Sequence, residues 1–225
     1  MNLAGILTAS ADVFGANTAL KLDERELTYW ALDLASARLA GLLMTRGVEA
    51  GQRVAVMLPN VPELAVAYYG VLRAGAAVVP VDGRDDLALR LGDTRSRLLL
   101  AWHGVAETAD AAARQAGADC LFVTPGEFEK LLLSAPPARE PCERAPSDTA
   151  LLRGPAELTH GGLAEEARDL IARHGLTDGD VMLTSAPLCE TSALNAAVGA
   201  GACLMLAASS ARALLVGQGF ERHEL

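Results

Sequence analysis

RVAVMLPNVPELAVAYYGVLRAGAAVVPVD, residues 53–82, is the stretch that decides the fold. Arg53–Leu58 is a short apolar run of strand length, and Pro59-Asn60 turns the chain. Pro62 falls where the first turn of a helix tolerates a missing N–H. The apolar spacing then predicts a helix to about Ala74, with Gly75 placed to end it, a second strand over Ala76–Val81, and Asp82-Gly83 closing that strand. Strand, helix, strand in 30 residues is a βα unit, which needs a parallel partner and helices on its faces.

The same logic extends outward. Downstream, the pattern predicts a short helix Leu87–Thr94, a strand Leu98–Trp102, a helix Val105–Ala116 stopped by Gly117, and a strand Cys120–Thr124. Ser134–Pro146 holds prolines 136, 137, 141 and 146 among charged residues and reads as a surface connection with few backbone donors. Beyond it come a strand near Thr149–Leu152, an amphipathic helix Leu163–His174 stopped by Gly175, a strand Val181–Ser185, and a helix-strand stretch from Ser192 to Ala207. Upstream lie a strand end at Leu27-Thr28-Tyr29 and a long helix from Trp30 to Arg46 with Leu32, Ala35, Leu39, Leu42 and Leu43 on one face. The expected class is α/β, with mostly parallel sheets and flanking helices. The expected organisation is a first subdomain 1–133, a Pro-rich connection 134–147 and a second, truncated subdomain 148–225, with no internal repeat.

Composition narrows the function classes. Among 225 residues, 19 Lys+Arg stand against 28 Asp+Glu, a formal charge of −9 without a basic cluster, so neither nucleic acid nor an anionic membrane surface is an expected partner. The longest apolar runs, such as Ala74–Val81, fall far short of the roughly 20 residues that span a bilayer. The start MNLAGILTASADVFG lacks a basic n-region and meets Asp12 early, so no signal peptide is read and a cytoplasmic location is expected. Cys120, Cys142, Cys189 and Cys203 show no C-x-x-C spacing, and His103, His160, His174 and His223 form no ligand pattern; neither a metal site nor a disulfide framework is expected. Cys120 and Cys203 sit in apolar runs and read as core residues.

GVEAGQRVAVMLPNVPELAVAYYGVLRAGAAVVPVD, residues 47–82, resembles the N-terminal subdomain of AMP-forming acyl-CoA synthetases of the adenylate-forming superfamily. Asn17-Thr18-Ala19-Leu20, Leu27-Thr28-Tyr29, Leu32-Asp33, Ala156–His160, Leu194–Ala197 and Gly199–Ala202 extend the resemblance to nearly the whole chain. It implies a site where a Ser/Thr/Gly-rich loop ending in Pro-Lys-Gly holds the ATP triphosphate. In its place stands TALLRGPAELT, residues 149–159, with one glycine and no lysine. A phosphate cradle needs convergent backbone N–H groups and a cation. Arg153-Gly154-Pro155 is expected to supply no such nest, and no cofactor is expected. The resemblance also implies an aromatic-His pair after Pro187-Leu188, where this chain has Cys189-Glu190-Thr191-Ser192. Ending at Leu225, the sequence does not reach the family's adenosine-binding motifs or its small lysine-bearing domain, so the resemblance implies the N-terminal lobe only.

Two functions follow as expectations. The first is a non-adenylating pseudoenzyme, a binding or scaffolding subunit for an acyl-type ligand, a carrier protein or a partner enzyme, assembled as a homo-oligomer or on a partner subunit. The second is ATP-independent chemistry on an acyl-type substrate, with Cys189 as nucleophile, His160 as base and Glu190 as acid. In either case the ligand is expected beyond the carboxyl ends of the strands, near Arg153, Ser185 and Thr191, where Arg153 supplies a planar cation.

Overall fold

The computed structural model describes residues 1–82, 86–184, 192–206, 214–216 and 223–224. The chain begins with α1 (Gly5–Phe14), the hairpin β1 (Thr18–Leu22) and β2 (Arg25–Thr28), and α2 (Tyr29–Thr45). It continues through β3 (Arg53–Met57), α3 (Pro62–Arg73), β4 (Ala77–Pro80), α4 (Leu87–Thr94), β5 (Ser96–Trp102), α5 (Ala106–Ala116), β6 (Asp119–Val123) and α6 (Glu127–Ser134). A second hairpin, β7 (Thr149–Arg153) and β8 (Ala156–Thr159), leads into α7 (His160–His174), β9 (Val181–Thr184), α8 (Ala193–Ala200) and β10 (Cys203–Leu206). Two short strands, β11 (Leu214–Val216) and β12 (His223–Glu224), follow.

One sheet has the order β6-β5-β3-β4-β7-β8, the other β12-β11-β9-β10-β1-β2. β6, β5, β3, β4 and β7 run parallel, as do β9, β10 and β1, so the class expected from the sequence holds. Each sheet takes strands from both sides of the 134–147 connection, and the layers therefore do not follow the boundaries 1–133 and 148–225.

Alternation along the strands builds two cores. Val54, Val56, Leu98 and Leu100 join a large core with α2, α3, α7 and α8, whereas Ala55, Leu99 and Ala101 face a smaller one under Leu87, Leu91, Ala109 and Ala112 of α4 and α5. Every residue of α3 is buried, which explains why its sequence is apolar on all faces. Its two charged residues are paired: Glu63 accepts from Arg25 at 2.5 Å, and Arg73 meets Asp33 of α2.

The structure contains an internal repeat, which corrects the sequence-based expectation of none. NTALKLDERELT (17–28) and DTALLRGPAELT (148–159) are identical at six of twelve positions. In both hairpins the first Thr pairs with the last, a bulge follows, and the register then closes on Leu22↔Arg25 or Arg153↔Ala156. Tyr29 N–H donates to Asn17 O at 3.1 Å and His160 N–H to Asp148 O at 3.0 Å. Thr28 caps α2 by accepting from Ala31 N–H, and Thr159 caps α7 by accepting from Gly162 N–H. Each copy then continues helix, strand, helix, strand: α2-β3-α3-β4 and α7-β9-α8-β10. The hairpins are exchanged, β7 pairing with β4 and β1 with β10. At the centre, Tyr69 of α3 donates to Asn195 of α8, residues at matching distances from the glycines that end the two helices.

The 134–147 connection also departs from expectation, because its backbone is tied down. Ala138 N–H donates to Ala37 O at 2.8 Å and Cys142 N–H to Arg73 O at 2.9 Å, while Pro146 O accepts from Gly161 N–H at 2.8 Å. The Arg73 guanidinium also donates to Arg139 O. A Cβ on Gly41 would lie 1.8 Å from Pro136 O, so only glycine lets the connection lie against α2.

Candidate functional site

The β7–β8 turn occupies the position at which the resemblance implied a phosphate loop. Arg153 and Ala156 are paired across the ladder, leaving only Gly154 and Pro155 between the strands. Gly154 has φ +57, the left-handed conformation that glycine adopts without strain, and Pro155 has no N–H. A single backbone donor cannot surround an anion. The carbonyls point the other way chemically: Gly154 O accepts from Arg90 Nη1 at 3.1 Å and Leu152 O from Arg90 Nη2 at 3.4 Å. This end of β7 therefore presents acceptors to a guanidinium of α4 rather than donors to a phosphate. Arg90 was not among the residues singled out from the sequence, since it lies more than 60 positions before the turn it closes.

Glu157 is held from two sides, by Thr149 Oγ1 at 2.7 Å and by Arg53 Nη2 at 3.3 Å. The Arg153 guanidinium is exposed and forms no hydrogen bond or ion pair with the described residues. It is thus a cation at the carboxyl end of β7. Ser185, Cys189, Glu190 and Thr191 lie outside the described residues. On either side of them, Thr184 and Ser192 are buried with hydroxyls that find no hydrogen-bond partner among the described residues.

His160 does not fit the role of base, which corrects that expectation. It is fully buried at the head of α7, and Nδ1 accepts from Leu3 N–H at 3.0 Å, so the lone pair that a base would use is already engaged. With Nδ1 accepting, the neutral ring carries its proton on Nε2, which has no partner among the described residues. Burial, reinforced by the nearby Arg144 cation, lowers its pKa to about 4, with Asp148 opposing. In the repeat His160 corresponds to Tyr29, another fully buried residue whose hydroxyl donates to Ala202 O at 2.7 Å. Both residues anchor a helix start in the core.

Two of the thiols, Cys120 and Cys203, are held in the protonated form. Burial raises Cys120 to about 11 and also raises Cys203, and each sits half-buried in a strand. Among the described residues no group of three His, Cys, Asp or Glu could hold a metal ion. No helix among the described residues is long and apolar enough to cross a membrane.

Comparison with known proteins identifies the family and the fold. A long-chain-fatty-acid–CoA ligase of Bacillus subtilis (strain 168) is 38% identical over 101 residues, covering 44% of this chain and 18% of the ligase. A 3-hydroxybenzoate–CoA/4-hydroxybenzoate–CoA ligase of Thauera aromatica is 38% identical over 92 residues, covering 40% and 18% respectively. Among solved structures, a benzoate CoA ligase from Burkholderia xenovorans LB400 superposes with a TM-score of 0.85 at 25% identity, covering 94% of this chain and 46% of that one. The chain thus spans about half the length of the enzymes whose structures it matches. Residues 7–153, ending at the last residue of β7, match the family described as AMP-binding enzyme, and the chain belongs to that family.

Proposed function

We propose that this chain is a non-adenylating member of the family, acting as a binding or scaffolding subunit for an acyl-type ligand, a carrier protein or a partner enzyme. The observation that carries the reading is the β7–β8 turn, reduced to Gly154-Pro155 and held shut by Arg90. Without convergent N–H groups the triphosphate loses electrostatic stabilisation typically worth about 3–4 kcal/mol per donor removed. The CoA ligases among its relatives support an acyl or aryl acid as the ligand class. The purified chain, given Mg-ATP and a panel of fatty and aromatic acids, is expected to form no acyl adenylate and to exchange no pyrophosphate into ATP. Adenylate detected by mass spectrometry overturns the reading.

The other reading, ATP-independent chemistry at Cys189–Ser192, loses its base, because the Nδ1 lone pair of His160 is committed to Leu3. Association with a second copy or another subunit belongs to the binding role. Trp30, Leu34 and Leu133, exposed by 63%, 42% and 67%, are among the exposed apolar side chains of α2 and α6 that such a partner would cover. A compact monomer in sedimentation at micromolar concentration counts against it.

A further inference from the structure

We propose that a cavity between α1, α7 and α8 binds a small amphipathic carboxylate, its apolar tail between the helices and its head on Arg168. The cavity measures about 300 Å³, and its walls are Ile6 and Ala9 of α1, Ala164, Ala167 and Ile171 of α7, and Gly199 of α8. It shares no lining residue with the β7–β8 turn, so its occupancy is independent of whether the chain adenylates.

The repeat explains why space exists there. Gly75 and Gly201 end α3 and α8 with φ +81 and +77, which makes Arg73 and Gly199 equivalent, each two residues earlier. Counted from Tyr29 and His160, Asp33 is equivalent to Ala164. In the first copy these two positions carry the Arg73–Asp33 ion pair, Arg73 buried and Asp33 half-buried, beside Thr8 of α1. In the second copy they carry a hydrogen and a methyl group, and both line the cavity. The hollow stands where the first copy keeps charged side chains.

The polar groups at its surface define the ligand's chemistry. Ser10 Oγ donates to Val198 O at 2.7 Å. Asn195 is engaged at both ends of its amide, accepting from Tyr69 OH and donating to Tyr68 OH at 3.0 Å each. The Met1 ammonium, also on the lining, donates to Arg144 O at 2.5 Å, whereas the Arg168 guanidinium forms no hydrogen bond or ion pair with any described residue, although Glu165 and Asp169 are exposed on the same helix. An apolar hollow with a single unpaired guanidinium at its rim suits a chain of several carbons that ends in one carboxylate, which the planar fork can grip through two parallel hydrogen bonds. The groove between α2 and α6 makes the contrast. Its rim charges are consumed, Arg38 by Leu133 O at 2.6 Å and Glu129 by Gly126 N–H at 2.5 Å, so nothing there selects a head group.

Calorimetric titration of the full chain with octanoate, 1-octanol and acetate tests the assignment. Octanoate is expected to bind saturably, more tightly than either 1-octanol, which lacks the charge, or acetate, which lacks the tail. Arg168→Gln is expected to weaken octanoate about tenfold, equivalent to about 1.4 kcal/mol, and to leave 1-octanol unchanged. Ala9→Phe, at an exposed wall position, is expected to abolish binding of both by filling the hollow. Both variants are first checked for native circular dichroism. Absence of saturable octanoate binding, equal affinity for octanoate and 1-octanol, or octanoate binding that either folded variant leaves unaltered overturns the proposal.

Discussion

The two copies of the hairpin-and-helix unit share a register, a bulge and a threonine cap, yet they differ where charge is placed. The first copy carries Arg73 on its central helix, buried against Asp33 and reaching Arg139 O of the connection. The second has Gly199 at that position and a cavity beside it. The hairpin framework depends on groups that are local in sequence: a Thr side chain, a backbone carbonyl two residues before the strand's second residue, and a two-residue turn. Interior charge depends on which neighbours converge from distant segments. One pattern can thus share a scaffold while its interiors differ, because hairpin and cap are satisfied within about a dozen residues, whereas a buried guanidinium must be satisfied by the whole fold.

The comparison breaks most decisively at Arg73. Replacing it by Met leaves Asp33, partly exposed and still within reach of Thr8 Oγ1, without its cation and unties Arg139 O, and should cost about 1–3 kcal/mol in urea-induced unfolding. A loss under about 1 kcal/mol would mean the first copy does not rely on its ion pair.

The second contrast is in titration. Tyr29 is pushed up by burial and stays neutral throughout the ordinary range, whereas His160 is pushed down to about 4. An unfolded histidine takes up a proton near pH 6.5, while the folded imidazole resists protonation until about 4. Between those values the unfolded state binds more protons, so stability present above about pH 6.5 should be lost progressively as pH falls toward 4. Below that, both states are protonated and this residue adds no further loss. His160→Gln, which can still accept from Leu3 N–H but does not titrate, should flatten the slope in that window. An unchanged slope would show that other groups set it.

The smallest effect sharpens the similarity instead. Thr28→Ala and Thr159→Ala each remove a side-chain acceptor from one helix start, and each should cost about 1 kcal/mol in thermal or denaturant unfolding. Costs that differ by more than about twofold would show that the caps, although geometrically matched, are embedded differently.

Much of the fold was legible in residue order. Leu87–Thr94 was read with its observed bounds, and the helices and parallel strands that follow each hairpin were placed to within a few residues, because apolar runs and glycine stops act locally, whereas β1 and β8 were given no strand bounds. α1 and α6 were not read. α1 has no side-chain cap, and α6 starts at Gly126 rather than at Ser, Thr, Asp or Asn, so both lacked the usual starting signal. The repeat was present in the sequence, as TAL and ELT at the same separation in residues 18–28 and 149–159, and a comparison of the chain with itself would have found it. Of the candidate site, the lost donors at Gly154-Pro155 were legible, since proline's missing N–H is a property of the residue. His160 was misread as reactive because a sequence does not disclose that Leu3 occupies its lone pair.

Residue order by itself determined the alternation of strands and helices, their glycine-marked ends and the inability of the 153–156 turn to gather backbone donors, since each follows from dihedral preference, side-chain period or hydrogen-bonding capacity within a few neighbouring residues. Only the tertiary structure decided that the hairpins exchange between copies, that Arg90 closes the β7–β8 turn, and that one copy holds an ion pair where the other leaves a hollow. Those outcomes join residues tens to more than a hundred positions apart, and whether a charge or a cavity is tolerated depends on the partners that packing brings within hydrogen-bond reach.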